Sequence, residues 1–462
     1  MGTAKTRQLD GTEIGVTPFV SGLINGKGRR YDASGNAMKS YIPVEEIEIV
    51  KKGTYRFRLI SAAMMYPFRF SIDGHELHVF ATDGNLIKTT TVDALIINSG
   101  ERFDFYIETS APVTNYWIRA ETLETETILG TPISPGIVRG ILRYRSADDM
   151  EPTSTRQTCS DNDRCLVMNC PFRYYPETAK TDCLSWSEVK APKRRAAPAI
   201  SNKYTFQEKF INFHFSGDTS LRSSVNGRRF IPPSTPPMIL PGGDEKDYMT
   251  KCNDTECAQR HCDCTHYITL PSDAIVQIVL YNIRVGEGLS GTSHPVHFHG
   301  HHFHVLKSGF GTYDTTTGRF LDDTTDISCG DDIPRCNSGS WSNSSWSGDD
   351  IPGLNLVDPP IKDTVIVPVG GYVVIRYKTD NPGWWFVHCH IEIHQVEGMA
   401  LMIKEGEEKQ MTKPPKDFKT CGNFQWSREE FKEIISMGSK PSLNTLVFCL
   451  AVYIAFNAVT AI

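Results

Sequence analysis

The chain has 462 residues, of which 39% are hydrophobic and 10% aromatic. That is enough apolar material for two or three domains with real cores. The formal net charge is −6, and no basic run is dense enough to neutralise a phosphate backbone, so nothing calls for a nucleic-acid partner.

Residues 1–19 are polar, with Gly2, Lys5, Arg7, Gln8 and Asp10, and contain no apolar stretch of the signal-peptide kind; they read as an N-terminal remnant. From about residue 20 to 147, apolar and polar residues alternate, as in Tyr55-Arg-Phe57-Arg-Leu59, Phe68-Arg-Phe70-Ser-Ile72 and Phe103-Asp-Phe105-Tyr-Ile107. Period-two runs broken by Gly, Asp and Asn predict antiparallel strands of a sandwich or barrel. Residues 148–204 are rich in Cys, Pro, Arg and Ser and predict an irregular, disulfide-tied linker. Strand patterns return over 205–408, at Ile275–Leu280, His297–Val305, Val365–Val369 and Tyr372–Tyr377. An acidic, Ser- and Gly-rich insertion at 322–352 predicts a long surface loop. Residues 409–441 make a polar tail with one helix near 427–437, and residues 442–462 are almost entirely apolar. Behind the small residues Ser436, Gly438 and Ser439, such a tail predicts a signal for glycolipid anchoring. A membrane-spanning tail is the alternative. Either places the protein at the cell surface or outside the cell, and a body of that type without a leader implies a missing N-terminus.

Thirteen cysteines, mostly in polar, turn-rich segments, predict disulfides formed in an oxidising compartment. The alternative is a zinc site at Cys252, Cys257, Cys262 and Cys264, near His261 and His266. Asn253-Asp-Thr255 and Asn343-Ser-Ser345 are candidate glycosylation acceptors. Without Cys389 and Cys449, eleven cysteines remain, an odd number; Cys421 is the candidate orphan.

The strongest chemical signal lies in two stretches that hold nine of the fourteen histidines: His294-Pro-Val-His297-Phe-His299-Gly-His301-His302-Phe-His304, and His388-Cys389-His390-Ile-Glu-Ile-His394 followed by Met399. Two imidazoles, a thiolate and a thioether are the ligand set of a blue-copper centre. In an extended strand, successive side chains point to opposite faces. His388 and His390 would therefore share one face and Cys389 the other, so one peptide would join two metal pockets by a short electron path. That geometry assigns His294, Cys389 and His394 to a type 1 copper, with Met399 at the weak axial position. His297, His299, His388 and His390 become half of an imidazole-only cluster. One cysteine among many histidines suits copper better than zinc.

These two stretches resemble the C-terminal signatures of multicopper oxidases, most of all those of animal laccases. Lys362-Asp-Thr-Val365, Gly370-Gly371-Tyr372, Asp380-Asn-Pro-Gly383 and Leu23-Ile-Asn-Gly-Lys-Gly28 are similar to that family as well. The resemblance covers roughly residues 20–408. It implies an all-β chain of two cupredoxin-like Greek-key domains, 20–147 and 205–408, equivalent to domains two and three of a three-domain enzyme. It further implies that His297 binds a type 2 copper and that His299, His388 and His390 bind a type 3 pair. Such enzymes hold four coppers, oxidise phenols, catechols, aromatic amines or ferrous iron by single electrons, and reduce dioxygen to water.

The family's first domain carries two more His-x-His pairs. The remaining histidines here, His75, His78, His214, His261 and His266, form none. The expectation is therefore a laccase-type oxidase impaired in reducing dioxygen, or alternatively a non-catalytic electron-transfer or copper-storage protein with a type 1 site alone. Glu392, Glu397, Asp273 and the acids of 322–352 are candidates for a metal-oxidising version.

Overall fold

The computed structural model describes residues 5–15, 19–32, 34–39, 41–193, 195–216, 222–239, 248–283, 291–332, 335–415 and 418. The expected helix near 427–437, Cys421, Cys449 and the apolar tail lie outside them. One compact unit comprises Met1–Pro232 with Met249–Thr412; a smaller one comprises Pro233–Tyr248 with Lys413–Ile462. In the smaller unit Pro237–Ile239 form a 3-10 turn and Ser234 N donates to Tyr248 O at 2.9 Å.

The large unit is built from strands, and the alternating segments of the sequence become them: Thr54–Ile60, Phe68–Ile72 and Arg102–Glu108 in the first half, Ile275–Tyr281 and Tyr372–Lys378 in the second. Between residues 46 and 184 a seven-stranded sheet accompanies a four-stranded sheet; between 206 and 405 an eight-stranded sheet accompanies a five-stranded one. Parallel pairs close each half, Ile137–Tyr144 on Glu46–Ile49 and Phe206–Ser216 on Ile275–Tyr281. Parallel neighbours need a crossover rather than a hairpin, so these sheets are mixed and not simple meanders. One continuous core runs from Phe103 and Phe105 in the first half to Val276, Val373 and Cys389 in the second. No helix among the described residues is long and apolar enough to cross a membrane.

Three expectations change. The 148–204 segment is tied by Cys159–Cys165 and Cys170–Cys183 as expected, but it is not irregular throughout. Cys165–Met168 and Thr181–Leu184 extend the seven-stranded sheet in parallel, because a sheet edge offers unpaired backbone groups that a passing segment satisfies. The acidic insertion is not merely a surface loop. Ile327, Cys336, Trp341 and Ile351 form a second core with Val279, Tyr281, Tyr372 and Val374. This cover explains why Ile275–Tyr281 is apolar on both faces rather than alternating. Finally, the run 297–305 is two strands, His294–Phe298 and Phe303–Gly309, broken at Gly300. Gly300 has a φ of +79°, and a Cβ there would meet the Trp385 ring at 2.2 Å.

Cysteine pairing removes the zinc alternative. Cys252–Cys264 and Cys257–Cys262 are disulfides, which leaves no thiolate there for a metal. Among the described residues Cys389 is the free cysteine, and it is buried.

Candidate metal centre

Gly383–Cys389 lies between His294–Phe298 and Ala400–Glu405 in the five-stranded sheet. Its bulky residues suit a half-buried strand; it ends at Cys389, and the helix Glu392–Val396 turns the chain back. That helix carries His394 inward, and the return strand follows Met399. Three segments thus converge. Cys389 Sγ lies 3.5 Å from His294 Nδ1 and 3.6 Å from His394 Nδ1. All three side chains are buried, as is Met399, whose carbonyl accepts from Cys389 N at 3.0 Å. The Phe215 ring stands edge-on to His394, with centroids 4.8 Å apart, and 5.4 Å from His294.

The other four histidines gather around the neighbouring residues of the same strands. His297 lies opposite His388 in the strand register. Ring centroids are 5.6 Å apart for His297 and His388, 5.8 Å for His297 and His390, and 4.8 Å for His297 and His299. His299 Nε2 and His388 Nε2 are 3.3 Å apart. In three of the rings Nδ1 is already engaged: His388 with Cys389 O at 3.0 Å, His297 with Asp363 O at 3.1 Å, and His390 with Ser99 Oγ at 3.1 Å. Their Nε2 atoms remain available for a metal.

Electrostatics agree with metal binding. Burial lowers the His394 and His388 pKa values to about 3, with neighbouring imidazoles adding to the shift at His388. Burial also holds His294 well below its usual value. Neutral imidazoles keep the lone pairs a metal needs. The Cys389 thiol is pushed far up by burial, so a thiolate there requires a bound cation. Two imidazole nitrogens and a buried sulfur pointed at one another, with a thioether residue beside them, fit copper.

Some functional neighbours carried no local signal. Ser99, Gly100 and Arg102 come from the first half of the chain; Arg102 grips the Asp363 carboxylate with both of its terminal nitrogens, at 2.7 and 2.5 Å. Asp363 and Thr364 belong to a stretch noted above for its family likeness but given no role. His301 lies 2.5 Å from Glu405; it and His304 are half-buried, and His302 is exposed. Among the acids, Asp273 pairs with Lys378, and Asp326, Asp332 and Asp349 engage Tyr372, Arg335 and Arg376. Glu392 and Glu397 stay exposed on the helix that carries His394.

Two family models described as Multicopper oxidase match residues 3–147 and 230–409. The chain belongs to the multicopper oxidase family. It is 30% identical to a laccase of Phlebia radiata over 392 residues, 83% of this chain and 58% of that protein. It is 27% identical to Laccase-25 of Oryza sativa subsp. japonica over 434 residues, 86% of this chain and 66% of that protein. The chain thus spans about 58 to 66% of the length of these relatives. Among solved structures, the laccase from Botrytis aclada matches with a TM-score of 0.55 at 22% identity, covering 87% of this chain and 61% of that one. Fet3p, described as a multicopper oxidase that functions in iron import, matches with 0.52 at 21%, covering 85% and 62%. At these identities the structural likeness shows the fold: an all-β, cupredoxin-like architecture. Copper is the family's cofactor, and the His294, Cys389 and His394 set is compatible with a type 1 site.

Proposed function

We propose that this chain supplies the type 1 site and half of the oxygen-reducing cluster of a laccase-type oxidase, acting on phenols, aromatic amines or ferrous iron with dioxygen as acceptor. The observation behind this reading is the convergence of His294 Nδ1, Cys389 Sγ and His394 Nδ1 beside four imidazoles drawn from the same two strands. Bound copper would supply one-electron redox chemistry at both sets. His294, Cys389 and His394 would hold the first ion with Met399 at a weak axial position, which favours a lower potential than an apolar residue would. His297 would serve the type 2 position, and His299, His388 and His390 the type 3 pair. The Cys389 backbone runs directly into His388 and His390, so the two sets are joined by a few covalent bonds.

Four imidazoles are half of the eight that the family's cluster uses, so on this reading the chain by itself reduces dioxygen weakly or not at all. Copper reconstitution tests both parts. Expected are an intense band at roughly 600 nm and little dioxygen uptake with a phenol. No such band would sink the type 1 assignment, and uptake at the rate of an intact laccase would sink the impairment.

A second reading is an electron-transfer protein that uses the type 1 site alone. It is favoured by the enclosure of the first set in the core while His299 is exposed. One copper per chain without near-ultraviolet absorption from a coupled pair would support it. The tail 442–462 is read, on sequence alone, as a cell-surface anchor signal; release of expressed protein by a phosphatidylinositol-specific phospholipase is expected, and retention would point to a spanning tail.

A further inference from the structure

The Nδ1 atom of His297 sits in a cage of acceptors. It lies 3.1 Å from the Asp363 backbone carbonyl, 2.9 Å from Thr364 Oγ1 and 3.6 Å from Asp363 Oδ1. The carbonyl and carboxylate only accept. The Thr364 hydroxyl donates its own hydrogen to Asp363 Oδ1 at 2.8 Å, which leaves it lone pairs to offer the ring. With three acceptors around it, Nδ1 must carry the proton, and Nε2 is left with the lone pair.

What holds this cage comes from the other half of the molecule. Arg102 forks onto both Asp363 carboxylate oxygens and also donates to Gly100 O at 2.9 Å. Asp83 Oδ2 accepts from the backbone N–H groups of Asp363 and Thr364, at 3.3 and 3.2 Å. Asp83 is itself fully buried against Lys362 Nζ at 3.1 Å. Burial alone would raise the Asp363 carboxyl, but Arg102, His297 and Thr364 more than reverse this and keep it ionised.

We propose that Arg102 and Asp83 are positioning residues for His297: by clamping the Asp363–Thr364 peptide they lock the ring as the Nδ1–H tautomer and aim Nε2 at the imidazole cluster. Neither residue is a proposed ligand; Arg102 opens the strand Arg102–Glu108, and Asp83 sits in the turn between the strands Leu77–Thr82 and Asn85–Val92. The first half of the chain therefore sets the metal-binding competence of a ring on the second. The metal part of this inference rests on the proposed function; the tautomer part does not.

The test uses the full chain labelled with ¹⁵N-histidine and freed of metal, with the His297 resonance identified by its loss in His297→Gln. Long-range ¹H–¹⁵N correlation should show the Nδ1–H tautomer in the parent chain. In Arg102→Met and Asp83→Asn the Nε2–H form should appear. Cu(II) titration followed by electron paramagnetic resonance should then show affinity at the imidazole set lowered about 10- to 100-fold, with the visible band of the Cys389 set unchanged. If a variant does not fold, Thr364→Val provides the same comparison with one hydroxyl removed. An Nε2–H ring in the parent chain overturns the inference, as does an unaltered tautomer in the folded variants. A missing visible band with the tautomer result intact would instead count against the proposed function alone.

Discussion

His297 stands directly opposite His388 across an antiparallel strand pair, and the adjoining rung sets Val296 against Cys389. This single step of register separates two pockets. One rung carries imidazoles to the cluster, and the next carries the sulfur into the core.

Cys389→Ser tests that separation. The hydroxyl cannot form a copper–thiolate bond, so the visible band should vanish. His388 and His390 keep their backbone positions, so the imidazole set should keep its Cu(II) affinity within a factor of about 3. A band that survived the exchange would show that the sulfur is not the ligand.

Gly100 tests the closeness of the two halves. It has a φ of +80°, and an added Cβ would lie 2.4 Å from His390 Cδ2. Gly100→Ala should cost about 1–3 kcal/mol through backbone strain alone and displace the His390 ring. Urea unfolding and copper titration of the imidazole set would read the two effects; an unchanged midpoint with unchanged affinity would mean that the approach is not tight.

Lys362 is completely buried between Asp83 at 3.1 Å and Glu101 at 3.5 Å, with its ammonium 4.2 Å from the Trp186 ring centroid. Lys362→Met would remove the ammonium beside Glu101 and leave Asp83 with Arg102 alone, at 3.5 Å. Loss of one partner of a buried ion pair costs about 3–5 kcal/mol. Burial already raises the Glu101 pKa, with Lys362 opposing it, so the variant should also take up a proton at Glu101. Denaturant unfolding near neutral pH checks the first expectation, and a loss below 1 kcal/mol would contradict it.

Stability of the metal-free protein should fall as the pH is lowered. Burial lowers the His214 pKa to about 4 and the His266 pKa to about 3. Unfolded, each binds a proton near pH 6.5. Below that pH the unfolded state therefore holds more protons, and stability declines towards pH 4 by about 1.4 kcal/mol per unit for each group. Above pH 6.5 their contribution is constant. His266→Gln should flatten the slope between pH 6 and pH 4; an unaltered slope would show that His266 does not titrate there.

The two histidine-bearing stretches could be singled out from sequence because their geometry is local. In a strand, period two alone puts Cys389 on one face and His388 on the other, and the helix that turns His394 back begins three residues after Cys389. Alternating runs such as Tyr55–Leu59 carry the same local information. The buried part of the insertion is not legible in the sequence, for a related reason. Ile327, Trp341 and Ile351 are isolated apolar residues in a polar segment, with no period until a sheet face is present to cover. The strands within 148–204 likewise depend on an edge supplied by Ala94–Ile97.

What the chain dictated by itself was its chemistry: a lone thiol between imidazoles, an all-β pattern and the histidine count. Tertiary structure alone decided what holds those groups. Arg102 reaches Asp363 across 261 positions and Ser99 reaches His390 across 291. Such contacts are set by how sheets pack, and no periodicity along the backbone encodes a hydrogen bond between segments that meet only after folding.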